Sequence, residues 1–295
     1  MRQHLSSDTR HSRGLRTVPA RWKSGLALLL AALAPFALPD AAPAQQARLL
    51  VTVFDEKTGE PVKDLKASNF NILDDETQLS VESAEYKESL LDLMVLVDSS
   101  LLGEMVRPLG SAFVKSLGPE EQMAIVAYDS SANLIQDFTS SKELLLKALQ
   151  QVSYGNNPRV LDALYAAIDG GFEHTVGRRV IVLLSAGVEG RSRVAESEVL
   201  QLARQKNVAI YPVYVVGAER GMFRRLAQHS GGAYFGARRL KLQPQPLSDL
   251  VYSVVRGCYE LAVKGVHTLG RRIEVKIEGL PKSDKRIWAS ARPLE

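Results

Sequence analysis

Cysteine is nearly absent from this 295-residue chain, whose one cysteine is Cys258. A single cysteine excludes an intrachain disulfide and any metal site built from several cysteines. Histidine is also scarce, and only His174, His229 and His267 follow residue 44. Because 45% of the residues are hydrophobic, the chain can instead fold on an ordinary hydrophobic core.

Basic and acidic residues are balanced in the chain after residue 44. The formal net charge is +4, but six of the 37 basic residues and two of the 33 acidic residues lie in residues 1–44. The remaining chain therefore has no net formal charge. It lacks the broad basic surface that nucleic-acid binding requires, so we expect no nucleic-acid partner.

Residues 1–44 have the pattern of a secretory signal peptide. A basic segment precedes the apolar residues 25–38, and Ala42-Pro43-Ala44 provides a cleavage site after Ala44. The apolar run is shorter than the roughly 20 residues that span a bilayer and contains Pro35. We therefore predict a secreted or periplasmic bacterial protein without stable membrane insertion after cleavage. An uncleaved membrane anchor is the alternative.

Alternating hydrophobic residues flank the centre of the chain. In residues 45–90 and 258–295, period-two alternation is broken by turn residues such as Thr58-Gly59-Glu60-Pro61, a pattern typical of short antiparallel strands. Neither segment has enough strands for a stable sandwich. We therefore predict that both segments combine into one small β-sandwich, with residues 91–257 inserted between them.

Residues 91–257 alternate strands with amphipathic helices. The apolar runs at 93–97 and 179–185 predict buried central strands, and residues 123–128 and 132–138 predict a hairpin. A helix is predicted at 104–116, and a last short strand at 231–235. This order predicts an α/β fold with a doubly wound, mostly parallel sheet covered by helices on both faces.

Enzyme motifs are absent from the same region. The residues after the first central strand, DSSLLGEM, do not form a dinucleotide-binding G-x-G-x-x-G, and no phosphate-binding G-x-x-x-x-G-K-S/T occurs. Ser185 lacks the first glycine of the hydrolase motif G-x-S-x-G. We therefore expect no enzymatic activity.

Four short sequence motifs follow one another along the chain: VLVDSS, LDALYAAI, RVIVLLSAG and HSGGAYF. Together with the strand and helix order, they resemble the von Willebrand factor A (VWA) domain over essentially all of residues 91–257, and the chain resembles exported bacterial VWA-related proteins. The resemblance implies protein–protein binding. It also implies a metal-ion-dependent adhesion site, made from D-x-S-x-S in the first loop, a Thr in the second and an Asp in the third.

The sequence departs from that metal site at three of five positions. Asp98 and Ser100 are present, but Leu102, Pro158 and Ala186 occupy the other places and offer no side-chain oxygen to a hard cation. We therefore predict a degenerate site with no metal and no cofactor. Magnesium held by unconventional ligands, such as Asn157 or Glu189, is the alternative.

Two questions stay open at this site. Arg159 or Arg191 could pair with Asp98 in place of the ion, or Asp98 could accept backbone N–H groups as a helix cap. Leu101 and Leu102 could form an exposed contact patch or pack under a neighbouring loop. The predicted ligand-binding face comprises Asp98, Ser100, Leu101, Leu102, Asn156, Asn157, Arg159, Ser185, Glu189 and Arg191.

Three functions remain possible. The first is a metal-independent module that binds a protein of unknown identity, the second is a metal-dependent adhesion module, and the third is a structural scaffold of the cell envelope.

Overall fold

The computed structural model describes residues 46–264, 272–280 and 286–294. The predicted signal peptide at 1–44 lies outside these ranges. Within them, no helix is long and apolar enough to cross a membrane. The strands and α-helices of the described ranges, in chain order, are β1 (Gln46–Asp55), β2 (Phe70–Asp74), β3 (Thr77–Glu88), β4 (Leu91–Asp98), α1 (Arg107–Ser116), β5 (Gln122–Tyr128), β6 (Ala132–Thr139), α2 (Lys142–Gln150), α3 (Val160–Gly170), β7 (Arg178–Ser185), α4 (Glu196–Gln205), β8 (Ala209–Tyr214), α5 (Arg220–Ser230), β9 (Phe235–Gly236), α6 (Ala237–Leu240), α7 (Pro244–Arg256), β10 (Gly257–Lys264), β11 (Ile273–Ile277) and β12 (Ile287–Pro293).

The strands from the two ends of the chain form one antiparallel sheet, in the order β11-β2-β3-β10-β1-β12. Val51 of β1 is in register with Tyr259 of β10 on one side and with Ala291 of β12 on the other. The two terminal segments therefore contribute strands to the same sheet.

The predicted small β-sandwich is confirmed in part, because its strands form one curled sheet. The long strand β3 pairs with β2 through residues 77–79 and with β10 through residues 80–88, so it bends the sheet back on itself. The edge strands β11 and β12 approach each other, and Leu49, Val51, Ile72 and Leu261 fill the enclosed core. Alternation of side chains along each strand sends one set of apolar residues into this core.

The second sheet is mixed, in the order β6-β5-β4-β7-β8-β9. Strand β4 pairs in parallel with β5 and β7, whereas β5 and β6 form the predicted antiparallel hairpin. Every residue of β4 is buried, which requires cover on both faces of the sheet. Helix α1 contacts both α2 and α7, and helix α4 contacts both α3 and α5, so the predicted α/β layering is confirmed.

Two predicted boundaries differ from the structure. The helix predicted from residue 104 begins at Arg107, after a 3₁₀ turn at Gly103–Val106; Pro108 lies in the first turn, where its missing N–H leaves no hydrogen bond unmade. The strand predicted at 231–235 is Phe235–Gly236, because Gly231 adopts a left-handed conformation that ends α5.

The outer face of the curled sheet packs against the α/β part. Phe54 of β1 and Trp288 of β12 are buried with Tyr234 and Phe235 in the core of the mixed sheet. The Trp288 indole N–H donates to the Gly232 carbonyl at 3.1 Å. Odd-numbered residues of β1 therefore fill the core of the curled sheet, and Phe54, which points the other way, joins the two sheets.

Candidate functional site

The predicted site lies at the carboxyl end of β4, where Asp98 is fully buried. Its Oδ1 accepts the Ser100 backbone N–H at 2.9 Å, and its Oδ2 accepts the Ala186 backbone N–H at 2.8 Å. Both carboxylate oxygens therefore have a backbone donor. Such charge-assisted hydrogen bonds offset much of the cost of burying a carboxylate.

Backbone donors, and not arginine, thus accompany Asp98. The Arg159 guanidinium lies 4.0 Å from Asp162, Arg191 is exposed, and in the described ranges Asp98 has no ion pair. The alternative in which Asp98 accepts backbone N–H groups therefore agrees with the structure. Its geometry differs from the expected helix cap, because the amides come from the loop after β4 and from the end of β7.

Tyr128 lies beneath this carboxylate. Its hydroxyl donates to the Leu184 carbonyl at 3.4 Å. Complete burial, followed by the nearby charge of Asp98, raises the pKa of Tyr128 well above its usual value. The phenol therefore stays neutral and contributes a fixed dipole to the floor of the site.

The second loop is tied to the first by its backbone. The Leu101 N–H donates to the Asn156 carbonyl at 3.2 Å, and the Gly155 N–H donates to the Ser99 carbonyl at 2.8 Å. The Asn156 amide group also donates to Asp129 at 2.8 Å. Burial alone would raise the pKa of Asp129, but the hydrogen bonds from Asn156 and the neighbouring serines lower it below its usual value.

The third loop caps α3. Glu189 accepts the Val160 N–H at 2.8 Å and the Ser192 N–H at 2.6 Å, and the Ser192 hydroxyl accepts the Leu161 N–H at 3.1 Å. These contacts satisfy donors that the first turn of a helix leaves unpaired. Glu189 therefore holds the third loop against the start of α3.

A sequence model of the von Willebrand factor type A domain matches residues 92–247. The chain belongs to the VWA family. A search of curated proteins found no match.

Solved structures of other proteins align with this chain, one of them with a TM-score above 0.5. Proximal thread matrix protein 1 from the mussel byssus, with a zinc-occupied metal site, aligns with a TM-score of 0.51 and 16% identity over 62% of this chain and 50% of that one. An aerotolerance-related membrane protein from Bacteroides fragilis aligns at 0.48 with 11% identity, over 56% of this chain and 98% of that one. BatB from Bacteroides thetaiotaomicron aligns with a TM-score of 0.45 and 15% identity, also over 56% of this chain and 98% of that one. At these identities the likeness concerns the fold alone.

Three of the five positions that hold the cation in the VWA family lack a side-chain oxygen in this chain. Leu102, Pro158 and Ala186 supply no side-chain oxygen, and both oxygens of Asp98 already accept backbone N–H groups. No three His, Cys, Asp or Glu side chains in the described ranges are grouped closely enough to hold a metal ion. Magnesium usually keeps several waters among its six oxygen ligands and takes one or two carboxylates from the protein, and at this edge Asp98 is the carboxylate that remains of the family's two.

The predicted face divides by exposure. Leu101, Leu102, Asn156, Asn157 and Arg191 are exposed, and Arg159 and Glu189 are partly buried. The other three members of the predicted face are buried: Asp98, Ser100 and Ser185. The Ser185 hydroxyl accepts the Gly187 N–H at 3.0 Å, so it supports the third loop from below.

An apolar surface covers the first loop of the VWA domain. Leu101 is 73% exposed, Leu102 51% and Met105 40%, and we call these three residues the crown. A helix that began at residue 104, as predicted, would bring Met105 to the same side as the buried Leu109, four residues later. Because residues 103–106 form a 3₁₀ turn and not a turn of α-helix, the Met105 side chain points in a different direction and is exposed.

Tyr154, a second-loop residue, lies near the crown. Burial raises the pKa of Tyr154, while the charge of Arg107 lowers it and the charge of Glu104 raises it. In the sequence, the location of Tyr154 in the second loop was the one feature that pointed to a place near the crown.

Proposed function

We propose that this chain is an exported, non-enzymatic VWA protein that binds another protein through the crown without a bridging metal ion. The observation that carries the proposal is the exposure of Leu101, Leu102 and Met105 together at the carboxyl end of β4. Ligand sites of open α/β sheets lie at this edge. Three large apolar side chains that are exposed together mark an interaction surface better than isolated ones do.

Rigid loops support this role. The first loop is bonded to the second through Leu101 and Asn156, and the third loop is bonded to the second because the Gly190 N–H donates to the Pro158 carbonyl at 2.6 Å. Preformed loops lose little conformational entropy when a partner binds. Asp98 acts here as an internal anchor that fixes the base of the crown through Ser100 and Ala186.

Changing Leu101 and Leu102 together to Ser is expected to reduce capture of the partner about tenfold or more. Burying one leucine at an interface contributes about 1.5 kcal/mol or more, and 1.4 kcal/mol corresponds to a tenfold change in affinity. The measurement is affinity capture from envelope extract with immobilised residues 45–295. Both positions are exposed, so the melting temperature should change little.

Leu144→Ser is the matched control, because Leu144 is an exposed leucine on α2 outside the crown. If the variant with Leu101 and Leu102 changed to Ser still captures the partner whereas the Leu144→Ser variant does not, the proposal that the crown binds the partner is contradicted. Capture that EDTA abolishes and magnesium restores supports the metal-dependent alternative instead. If the unchanged protein, the double variant and the Leu144→Ser variant all capture the partner equally, the result favours the envelope scaffold, in which the VWA domain only supports assembly.

Export is proposed from the composition of residues 1–44. The expected mature protein begins at Gln45 and is secreted or periplasmic. Intact-mass measurement of protein isolated from the host checks this, and a mass that includes residues 1–44 would support the membrane-anchor alternative.

A further inference from the structure

A cavity of about 280 Å³ lies at the opposite end of the mixed sheet from the crown, where the curled sheet meets the α/β part. The start of β7 and the loop before β8 form one side of it, at Arg178, Arg179 and Asn207. Strands β1 and β12 of the curled sheet form the other side, at Leu50 and Arg292. The cavity is therefore separate from the surface proposed above to bind a partner.

Arginine side chains dominate the polar lining of this cavity. Arg178, Arg179 and Arg292 belong to it, and none of the described lining residues is Asp or Glu. Arg179 Nη1 donates to the Lys206 carbonyl at 2.9 Å, and Arg292 Nη1 donates to the Asn207 carbonyl at 2.6 Å. These hydrogen bonds hold both side chains in the wall. Cationic groups therefore bound the cavity, which favours a ligand with negative charge.

Arg178 distinguishes this cavity from an ordinary basic surface. Its Nη1 donates to Cys258 Sγ at 3.0 Å and to the Arg256 carbonyl at 3.5 Å, whereas its Nε and Nη2 are buried and have no acceptor among the described residues. The ionisable groups that act most strongly on this guanidinium are Tyr211 and Cys258, neither of which is a carboxylate. A buried cation without an anion is costly, so this position favours a bound anion.

Apolar residues complete the lining. Leu50 is buried, Leu294 is partly buried, and Val176 is exposed at the rim. A bare inorganic anion gains nothing from such a surface, whereas an aliphatic acid can bury its carbon atoms there. Its carboxylate also matches the guanidinium group, which can donate two parallel hydrogen bonds to it.

We propose that this cavity binds a carboxylate that carries a short aliphatic group, with the carboxylate beside Arg178 and the aliphatic group along Leu50 and Val176. A free aliphatic acid and the C-terminal residue of a peptide both present this chemistry. The VWA protein then has two binding sites, the apolar crown and a cationic cavity at the opposite end of the sheet.

The test titrates the expected mature protein, residues 45–295, with isocaproate, a branched aliphatic acid. The amide resonances of Val176 and Gly177 report binding by NMR, and a dissociation constant of about 1 mM is expected for so small a ligand. Isocaproamide, which is neutral and has nearly the same shape, should not bind. Acetyl-Ala-Leu separates the two sources: its binding together with isocaproate assigns a peptide end, and binding of isocaproate alone assigns a free acid.

Two variants test the residues of the cavity. Arg178→Gln removes the charge and should weaken isocaproate binding about tenfold or more. Val176→Glu adds a carboxylate at a position that is 99% exposed, so it should fold normally and weaken binding about threefold or more by repulsion. Arg238→Gln is the matched control, because Arg238 is exposed on α6 outside the lining; it should bind like the unchanged protein.

Equal binding of isocaproate and isocaproamide overturns the proposal, because the cavity then does not recognise charge. Unchanged affinity in Val176→Glu together with unchanged affinity in Arg178→Gln also overturns it, and if Arg178→Gln does not fold, Val176→Glu decides alone. Tighter binding of inorganic phosphate than of isocaproate contradicts the aliphatic part of the ligand. The absence of any shift at about ten times the expected dissociation constant, with isocaproate and with acetyl-Ala-Leu, refutes the site.

Discussion

Trp288→Ala is expected to lower the free energy of unfolding by about 3–5 kcal/mol, the range for removing a large buried aromatic side chain. The Trp288 ring is 5.0 Å from that of Tyr234 and 6.1 Å from that of Phe54, and its N–H bonds the Gly232 carbonyl. It therefore joins β12 of the curled sheet to the α/β part. Urea unfolding followed by circular dichroism measures the loss.

Ile287→Ala is the control in the same strand, because Ile287 is partly buried and packs on the core of the curled sheet instead. It should cost about 1–2 kcal/mol. Equal losses in the two variants would contradict the importance of the contact between the sheets. A double-mutant cycle of Trp288→Leu with Tyr234→Leu should show a coupling of about 0.5–1.5 kcal/mol.

Local patterns were enough to predict the mixed sheet. The apolar runs of β4 and β7 are long enough to identify buried strands, and both end in polar residues at the edge where the loops meet. The pairing of the terminal segments was also predictable, because neither had enough strands alone. The curl was not, since it depends on β3 pairing with two strands that are far apart in the sequence.

The candidate site was predictable in position but not in its contacts. The spacing of D-x-S placed Asp98 at the end of β4, and the substitutions at Leu102, Pro158 and Ala186 were readable directly. The partners of Asp98 are the Ser100 and Ala186 backbone N–H groups, and a sequence pattern indicates which side chains are present but not where a backbone N–H points.

Gly187→Ala is expected to lower the free energy of unfolding by more than about 3 kcal/mol. Gly187 has φ +107°, and a Cβ there would lie 1.7 Å from the Val216 carbonyl oxygen. A non-glycine residue in such a conformation costs about 1–3 kcal/mol from strain alone, and the clash with backbone atoms adds to it. The Ala186 N–H that reaches Asp98 is adjacent, so the base of the crown should be displaced as well.

Gly217→Ala is the matched control, because no atom lies within 4 Å of the Cβ that this change would add. It should alter stability by about 0.5–1 kcal/mol at most. Urea unfolding followed by Trp288 fluorescence measures both variants, since Trp288 is the only tryptophan after residue 44. Similar unfolding midpoints would show that the third loop can move to admit a side chain. The crown would then rest on a flexible base, and the argument that preformed loops favour partner binding would fail.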